Sequence, residues 1–205
     1  MPTLLEQLNQ EMAGVIEATQ RCLVQISNGH RGVGAGTIWH PDGLILTNAH
    51  VSAGRRRGGR VHNDALWVTL PDGQKYPAQI LAQDNARDLA ALRIDVQNLP
   101  TIPLGDSRSL QTGQCVFAVG HPWGVIGAVT SGVVIGSGAE WPEMPSGGHE
   151  WLVMSLHLRP GHSGGPVVDI DGRLVGINTL MTGPDVGVAV PVHVAKAFLR
   201  QALSV

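Results

Sequence analysis

The chain has 205 residues, of which 43% are hydrophobic and 15% are charged, and its formal net charge is −2 with histidine neutral. This balance excludes intrinsic disorder, which needs few apolar residues and many charges. The small negative charge argues against a protein whose whole surface binds nucleic acid. No apolar run approaches the ~18 residues that a membrane-spanning helix requires. The length fits one large domain or two tightly packed halves.

The N-terminal segment, residues 1–20, has helical periodicity. Its apolar residues recur at spacings of three and four: Leu4, Leu5, Leu8, Met12, Val15 and Ile16. Thr3 and Glu6 have the spacing of a capping box, which satisfies free amides at a helix start. We therefore predict an amphipathic helix over residues 3–18. Its apolar face either packs on the domain edge or contacts a partner or a second copy of the chain.

From residue 21 onward, short runs of β-forming residues alternate with Gly- and Pro-containing turns, which is typical of an all-β sandwich or barrel. Asp-Gly pairs at 42–43, 72–73 and 171–172 indicate hairpins. We expect one domain over residues 1–205, with a first β unit at 21–96, a polar linker at 97–114, a second β unit at 115–192 and a C-terminal helix at 193–205.

The segment GHSGGP at residues 161–166 places glycines on both sides of one serine. Gly161 permits a turn that a side chain would obstruct, and this turn can direct the amides of Gly161 and Ser163 at one point, forming an oxyanion hole. The alternative is a glycine-rich turn with an incidental serine. A serine hydroxyl is a weak nucleophile, so the catalytic interpretation requires a base and a group that orients the base.

His50 and Asp88 are the candidates for these two roles. His50 follows an apolar strand, and Asp88 directly precedes another. Taken singly, His50 is more often a core or turn histidine and Asp88 is more often a strand-capping aspartate. The chain order His50, Asp88, Ser163 is that of chymotrypsin-type triads. We therefore predict His50 as general base and acid, Asp88 as the orienting residue and Ser163 as the nucleophile.

Several short segments resemble motifs of the HtrA/Deg group of trypsin-like serine proteases. They are TNAHV (47–51), DLA (88–90), GHPWG (120–124), VTSG (129–132), GHSGGP (161–166) and VGINT (175–179). The resemblance spans about residues 22–192. It implies two six-stranded antiparallel β-barrels flanked by an N-terminal and a short C-terminal helix, with the active site in the cleft between the barrels. It also implies a serine endopeptidase that acts on polypeptides, with Ile177, Asn178 and Thr179 offering backbone to an extended substrate.

The chain departs from this group at two positions that bear on chemistry. His121 and His162 stand where the group usually has asparagine, and His162 flanks the predicted oxyanion hole, so its protonation puts the pH profile in question. The group commonly carries PDZ domains after the protease, and since this chain ends at Val205 we expect no regulation by a PDZ domain in cis. The primary specificity pocket is expected to include His157, Leu158, Ile177 and Ala189. None of these is an acid, which favours small or medium aliphatic side chains over Lys or Arg.

Other signals leave alternatives open. The basic loop of Arg55, Arg56, Arg57 and Arg60 is a solvated loop, a recruitment site for an acidic partner, or, least favoured, a nucleic-acid contact. The segment 136–150 is an activation loop or a passive hairpin end. The spacing of the histidines fits no standard zinc pattern, and the predicted chemistry needs no metal or cofactor. Cys22 and Cys115 are expected to be buried free thiols.

The rival to an active protease is a protease-fold module that captures peptides without cleaving them. The complete His50, Asp88 and Ser163 set argues against that alternative, since loss of one member usually marks such proteins. The N-terminus has neither a basic region nor an apolar stretch of the kind that begins a secretory signal. We therefore expect a cytoplasmic location.

Overall fold

A computed structural model describes residues 2–28, 32–53, 56–57, 60–61, 65–139, 141 and 149–203, with only the backbone described at 32, 33, 56, 57, 60 and 61. The helices are α1 (Leu4–Gln20), α2 (Ala49–Ser52) and α3 (Val192–Leu203), with a 3₁₀ turn at Pro122–Gly124. The first nine strands are β1 (Leu23–Ser27), β2 (Gly32–His40), β3 (Leu44–Thr47), β4 (Arg56–Arg57), β5 (Arg60–Val61), β6 (Trp67–Thr69), β7 (Lys75–Pro77), β8 (Gln79–Asp84) and β9 (Leu89–Arg93). The other six are β10 (Cys115–Gly120), β11 (Ala128–Gly138), β12 (Trp151–Ser155), β13 (Pro166–Val168), β14 (Leu174–Gly183) and β15 (Val186–Pro191).

The second half forms a closed six-stranded barrel in the order β10-β11-β12-β15-β14-β13. Every pairing in it is antiparallel. Its interior is filled by short aliphatic side chains such as Val116, Leu152 and Val175, which are almost completely buried. The expected double-barrel fold is confirmed, and this half matches the predicted strand number.

The first half differs from the expected closed, six-stranded barrel. It is an antiparallel sheet of seven strands in the order β7-β6-β1-β2-β3-β9-β8, and β4 and β5 form a separate ribbon. The two edge strands, β7 and β8, are joined by the single residue Ala78. The sheet is therefore curved, so that its two edge strands lie next to each other where the chain passes from β7 to β8. Pro77 has no amide N–H to add to a ladder at this corner.

The N-terminal helix is confirmed and extends two residues beyond its predicted end. The Glu6 amide donates to Thr3 Oγ1 (3.3 Å) and the Thr3 amide donates to Glu6 Oε2 (2.7 Å), which completes the predicted capping box. The second half of α1 docks on the protein through Val15, Ile16 and the buried Thr19. The side chain of Gln20 donates to the Gly127 carbonyl at 2.7 Å. The first turns of α1 remain exposed.

The C-terminal helix begins at Val192, one residue before its predicted start. It buries four side chains against the sheets: Val192, Ala195, Phe198 and Leu199. Each buried side chain of the size of Leu or Phe contributes about 1.5–3 kcal/mol, so this face is enough to hold a helix of three turns in place. No helix in the described part of the chain is long and apolar enough to span a lipid bilayer.

One of the two cysteines differs from expectation. Both are free, and Cys22 is buried as predicted, but Cys115 is exposed at the first position of β10. A strand's first residue lies at the barrel rim, so apolar neighbours in sequence did not bury it. The basic loop side chains and most of the predicted loop 136–150 lie outside the described residues. The division of the chain at residues 97–114 stays a prediction.

The two halves meet at the turn that carries Ser163. The Ala35 amide of β2 donates to the Ser163 carbonyl at 2.8 Å, and the Thr47 hydroxyl donates to the Ala35 carbonyl at 2.7 Å. Gly164 has a φ of +84°, and a Cβ there would lie 2.1 Å from the Ala35 oxygen and 2.2 Å from Thr47 Oγ1. The first sheet can therefore approach the serine turn only because residue 164 lacks a side chain.

We predict that Gly164→Ala destabilises the protein by about 2 kcal/mol or more beyond the cost of a left-handed alanine, because the added methyl overlaps the docked strand. The matched control is Gly73→Ala. Gly73 has a φ of +85° with no atom near its absent Cβ, so its substitution carries only the backbone cost of about 1–2 kcal/mol. Urea unfolding of both variants measures the difference. Equal losses of stability would contradict this account of the junction.

Candidate active site

His50 and Asp88 form a direct pair on the first sheet. His50 lies on the one-turn helix α2 after β3, and Asp88 lies just before β9, the strand that pairs with β3. The His50 ring Nδ1 lies 2.8 Å from Asp88 Oδ2, and the His50 backbone amide donates to Asp88 Oδ1 at 3.0 Å. One carboxylate thus binds both the ring and the backbone of the histidine. This arrangement fixes the ring with its other nitrogen, Nε2, as the free one.

The backbone at Asp88 adopts a left-handed conformation that few non-glycine residues take, with φ of +54°. Aspartate tolerates this conformation better than most residues. The Asn48 side chain donates to the Asp88 carbonyl at 2.9 Å and braces the turn. The sequence motif DLA therefore marks a specific backbone geometry that turns the carboxylate towards His50.

The carboxylate receives a third donor from the second barrel, the hydroxyl of Thr179, which donates to Asp88 Oδ2. Burial raises the pKa of Asp88, but the hydrogen bonds from His50 and Thr179 oppose it and hold the pKa below its usual value. Asp88 is therefore ionised at neutral pH.

Thr179 reaches the site because the β14 strand is irregular there. Asn178 pairs with Ala189 and Leu180 pairs with Val188, so Thr179 has no partner in this ladder. Such a bulge frees a residue from the sheet and redirects it. The Thr179 hydroxyl turns to Asp88, and its carbonyl turns to Ser163.

Ser163 lies in the turn between β12 and β13, on the second barrel. Its hydroxyl donates to the Thr179 carbonyl at 3.1 Å, and among the described side chains none joins it to His50. Both residues nevertheless line the same cleft, of about 390 Å³. Catalytic hydrogen bonds are often not formed in the absence of substrate.

The turn before Ser163 leaves two amides available. Gly161 has φ of +109°, and a Cβ there would lie 2.5 Å from the His121 oxygen. The His121 amide donates to the Gly161 carbonyl at 2.9 Å, and the amides of His162, Gly164 and Gly165 all have backbone acceptors. Within the described residues, the amides of Gly161 and Ser163 have none. These two are the amides that an oxyanion hole requires.

The cleft includes some of the predicted substrate-binding residues and not others. Its lining consists of His50, Leu158, Arg159, Pro160, Gly161, His162, Ser163, Thr179, Leu180 and Met181. Ile177, Asn178 and Ala189 lie inside the barrel wall with no exposed surface. The Asn178 amide and carbonyl are both bonded within the turn, to Gly165 and Gly164. His157 contacts Asp185 outside this lining.

Four residues of the cleft lining had no signal in the sequence: Arg159, Pro160, Leu180 and Met181. Leu180 and Met181 follow the bulge at Thr179, and a bulge cannot be read from residue alternation. Arg159 lines the cleft and places its guanidinium 4.4 Å from the centre of the Trp123 ring, a favourable cation–π distance. Across the described residues, no group of three or more His, Cys, Asp or Glu side chains is arranged to hold a metal ion.

Comparison with known proteins identifies the family of this chain. A family model described as a trypsin-like peptidase domain matches residues 34–177. The chain is 36% identical over 177 residues to the "Probable periplasmic serine endoprotease DegP-like" of Halomonas elongata, covering 82% of this chain and 35% of that protein. It is 37% identical over 183 residues to "Serine protease HTRA2, mitochondrial" of Bos taurus, covering 87% and 37%. The chain thus spans about a third of the length of these relatives.

Solved structures give the same assignment. A structure of the HtrA-type protease AlgW with a decapeptide superposes with a TM-score of 0.81 at 27% identity, covering 94% of this chain and 67% of that one. A structure of AlgW with a tripeptide gives a TM-score of 0.81 at 30% identity, with 93% and 62% covered.

The same comparisons overturn the expected cytoplasmic location. The relatives carry the words periplasmic and mitochondrial in their names, which is inconsistent with that expectation. A targeting segment is a separate stretch of chain that the protease fold does not need, so the residues at the start of this sequence could not decide the location.

The matched residues 34–177 contain His50, Asp88 and Ser163 together with the turns that position them. The relatives named above are HtrA-type proteases of the same double-barrel fold. The chain belongs to the trypsin-like peptidase family, within its HtrA-type group.

Proposed function

We propose that this chain is a serine endopeptidase that cleaves polypeptides through an acyl-enzyme. One observation carries the proposal: the paired His50 and Asp88 of the first sheet share a cleft with Ser163, whose turn leaves two amides free. Nucleophile, base, orienting group and oxyanion donors are the complete requirement for this chemistry.

Acylation begins when the Ser163 hydroxyl leaves the Thr179 carbonyl and donates to His50 Nε2. The Ser163 Oγ attacks the substrate carbonyl carbon while its proton passes to Nε2. The resulting oxyanion accepts hydrogen bonds from the Gly161 and Ser163 amides, which stabilise charge that develops only in the transition state. The proton on Nε2 then passes to the departing amine nitrogen, and the peptide C–N bond breaks.

Deacylation repeats these steps with water. His50 removes a proton from the water, which attacks the ester carbon, and the same proton returns to Ser163 Oγ. Asp88 stabilises the His50 imidazolium in both stages and holds its Nδ1–H tautomer. Thr179 acts through Asp88, because its hydroxyl donates to Asp88 Oδ2, the same oxygen that lies 2.8 Å from His50 Nδ1.

An extended peptide is the substrate that this cleft fits best. The Thr179 carbonyl accepts from the Ser163 hydroxyl in this structure, and once that hydroxyl has moved away the carbonyl can accept from a substrate amide. The substrate would then pair with the chain at the bulge as an added β-strand. The lining offers aliphatic surface from Leu158, Leu180 and Met181, one cation in Arg159 and no carboxylate. We propose that the residue before the cleaved bond is small or medium aliphatic. Leu158 and Thr179 keep the substrate contacts predicted for them, and Leu180 and Met181 replace the buried Ile177, Asn178 and Ala189.

A latent or peptide-capturing protein is the second candidate. The observation that favours it is the Ser163 hydroxyl, which is bonded to the Thr179 carbonyl and not to His50. In a latent enzyme this bond would persist until a peptide displaced it.

The exposed start of α1 is proposed as a contact with a second copy of the chain or with a partner. Leu4, Leu5 and Leu8 lie on the first turns and are 79%, 71% and 49% exposed. Burying such side chains is favourable by about 25 cal/mol per Å², and the rest of α1 already packs on the domain.

We predict that a fluorophosphonate probe labels the protein at Ser163. Ser163→Ala abolishes labelling, His50→Ala lowers its rate, and Ser163→Ala lowers kcat on casein by about 10⁴–10⁶-fold. Unfolding in urea should show that both variants keep the fold. Casein cleavage by Ser163→Ala at the wild-type rate would refute the assignment. Labelling that needs an added peptide would identify the latent form.

We predict that Thr179→Val raises the pKa of Asp88, because the carboxylate loses a donor, and lowers kcat/KM by about tenfold, the worth of one hydrogen bond to a charged group. NMR titration of the Asp88 carboxyl carbon measures the pKa. Because the folded pKa lies below the unfolded one, the wild-type advantage in unfolding free energy is present at neutral pH and disappears as the pH falls below about 4. Thr69→Val on β6 is the control. An unchanged Asp88 midpoint in Thr179→Val would contradict the assigned role.

A peptide library should show cleavage after Val, Ala or Leu in preference to Arg or Lys. The Arg159 guanidinium in the lining repels a cationic side chain, and no described lining residue is an acid that could bind one. Mass spectrometry of the cleaved library reads the preference directly, with Ser163→Ala as the blank. Predominant cleavage after Arg would contradict this view of the cleft.

A further inference from the structure

Two buried histidines lie behind the oxyanion turn without contacting the reacting groups. His121 is 7% exposed and His162 is 3% exposed. Both are titratable groups that the proposed reaction does not use.

His162 fastens the turn through its own ring. The Arg159 amide lies 3.1 Å from His162 Nδ1, the Arg159 carbonyl lies 3.2 Å from the same atom, and the His162 amide donates to that carbonyl at 3.0 Å. A neutral ring satisfies Nδ1 in either tautomer, as acceptor or as donor. The buried Nε2 has no hydrogen-bond partner among the described residues. The imidazolium keeps Nδ1–H as a donor to the Arg159 carbonyl, but it can no longer accept from the Arg159 amide. Its Nε2–H and its positive charge have no partner among the described residues.

His121 fastens the turn from the neighbouring loop. Its backbone amide donates to the Gly161 carbonyl at 2.9 Å, and its ring Nδ1 accepts from the Gly127 amide at 3.2 Å. The second bond closes the loop 121–127 on itself. An imidazolium has two donors and no acceptor, so protonation of this ring breaks the bond to Gly127.

The groups that face the two rings are mainly cationic. Arg159 and His157 act on His162, and the two histidines act on each other. Glu17 of α1 and Arg21, the residue after this helix, line the cavity beside His121 and are paired with each other at 2.6 Å. The nearest acid to His157, Asp185, contacts that residue. No described carboxylate is therefore free to stabilise a proton on either ring.

Burial lowers the pKa of both histidines. For His121 the Val24 backbone opposes this effect and the charge of His162 adds to it. For His162 the Arg159 backbone opposes it, and the charges of Arg159 and His157 add to it. Both rings are neutral at pH 7, and each takes up a proton only in the acid range.

We propose that neutral His162 and His121 are positioning residues that hold Gly161 in the oxyanion turn, and that their protonation releases the turn and switches the site off in acid. The catalytic part of this inference rests on the proposed peptidase function. The structural part, a turn that opens when either ring is protonated, does not.

The test follows fluorophosphonate labelling of Ser163 between pH 5 and pH 8. The acid limb of the wild-type profile is steeper than that of the double variant His121→Asn/His162→Asn, because only the wild type loses the turn as the two buried rings take up protons. The rate of the double variant at pH 5 relative to pH 8 is higher than that of the wild type by about tenfold. The control is His40→Asn, an exposed histidine outside the cleft, which keeps the wild-type profile. Equal slopes in wild type and double variant overturn the proposal.

A second measurement is independent of catalysis and of whether the Asn variants fold. NMR of the wild-type protein follows the backbone amide of Gly161 and the rings of His121 and His162 across the same pH range. A Gly161 shift with the midpoint of either ring supports the proposal. A Gly161 amide that does not move as the rings titrate overturns it. If nothing is labelled at any pH, with or without an added peptide, the peptidase function fails, and this titration still decides the structural part.

Discussion

The hydrogen bond from the Ala35 amide to the Ser163 carbonyl, at 2.8 Å, holds together two halves that are each incomplete. The first sheet carries His50 and Asp88, and the second barrel carries Ser163. No local feature of either half sets the distance between them. That distance depends on how closely β2 approaches the serine turn, and Gly164 sets this approach because any side chain there would meet the Ala35 carbonyl. The glycines after the serine are therefore required for packing between the halves as well as for the turn.

Thr179 makes a second link between the halves. In the first link a donor of the first sheet binds the second barrel, whereas here a donor of the second barrel binds the first sheet. Its hydroxyl crosses from β14 to Asp88, while its carbonyl holds Ser163 on its own barrel. Asp88 is thus bound by His50 of the first sheet and by Thr179 of the second barrel. The Ser163 hydroxyl, in contrast, is bound to the Thr179 carbonyl and must leave it to react. Electrostatic preorganisation is effective when the donors are already in place. In this site the His50–Asp88 pair is formed and the amides of Gly161 and Ser163 have no backbone acceptor among the described residues, while the Ser163 hydroxyl is bonded to the Thr179 carbonyl.

The sequence could predict the parts of the site that depend on local chemistry. His50, Asp88 and Ser163 were assigned from short motifs, and the structure brings His50 and Asp88 into contact and places His50 and Ser163 in one cleft. The limits of α1 followed from periodicity and a capping box. The substrate contacts did not follow, because the face of a strand depends on register. The bulge after Asn178 turns Thr179, Leu180 and Met181 to the cleft and leaves Ile177 inside the wall. The open seven-stranded first sheet likewise depends on a corner at Pro77 that residue alternation does not reveal.

The two buried histidines behind the oxyanion turn make the stability of this turn depend on pH. Burial lowers the pKa of His121 and His162 in the folded state, while in the unfolded chain each has an ordinary value of about 6.5. In the window between these values the unfolded chain binds more protons than the folded one, so the free energy of unfolding falls as the pH falls. Above about pH 6.5 the rings are neutral in both states and carry no such cost. Because both rings are bonded to the segments that hold Gly161, the loss of stability in acid is concentrated where the oxyanion must bind. Local opening of this turn therefore requires less free energy than unfolding of either barrel, and the site becomes sensitive to acid before the fold does.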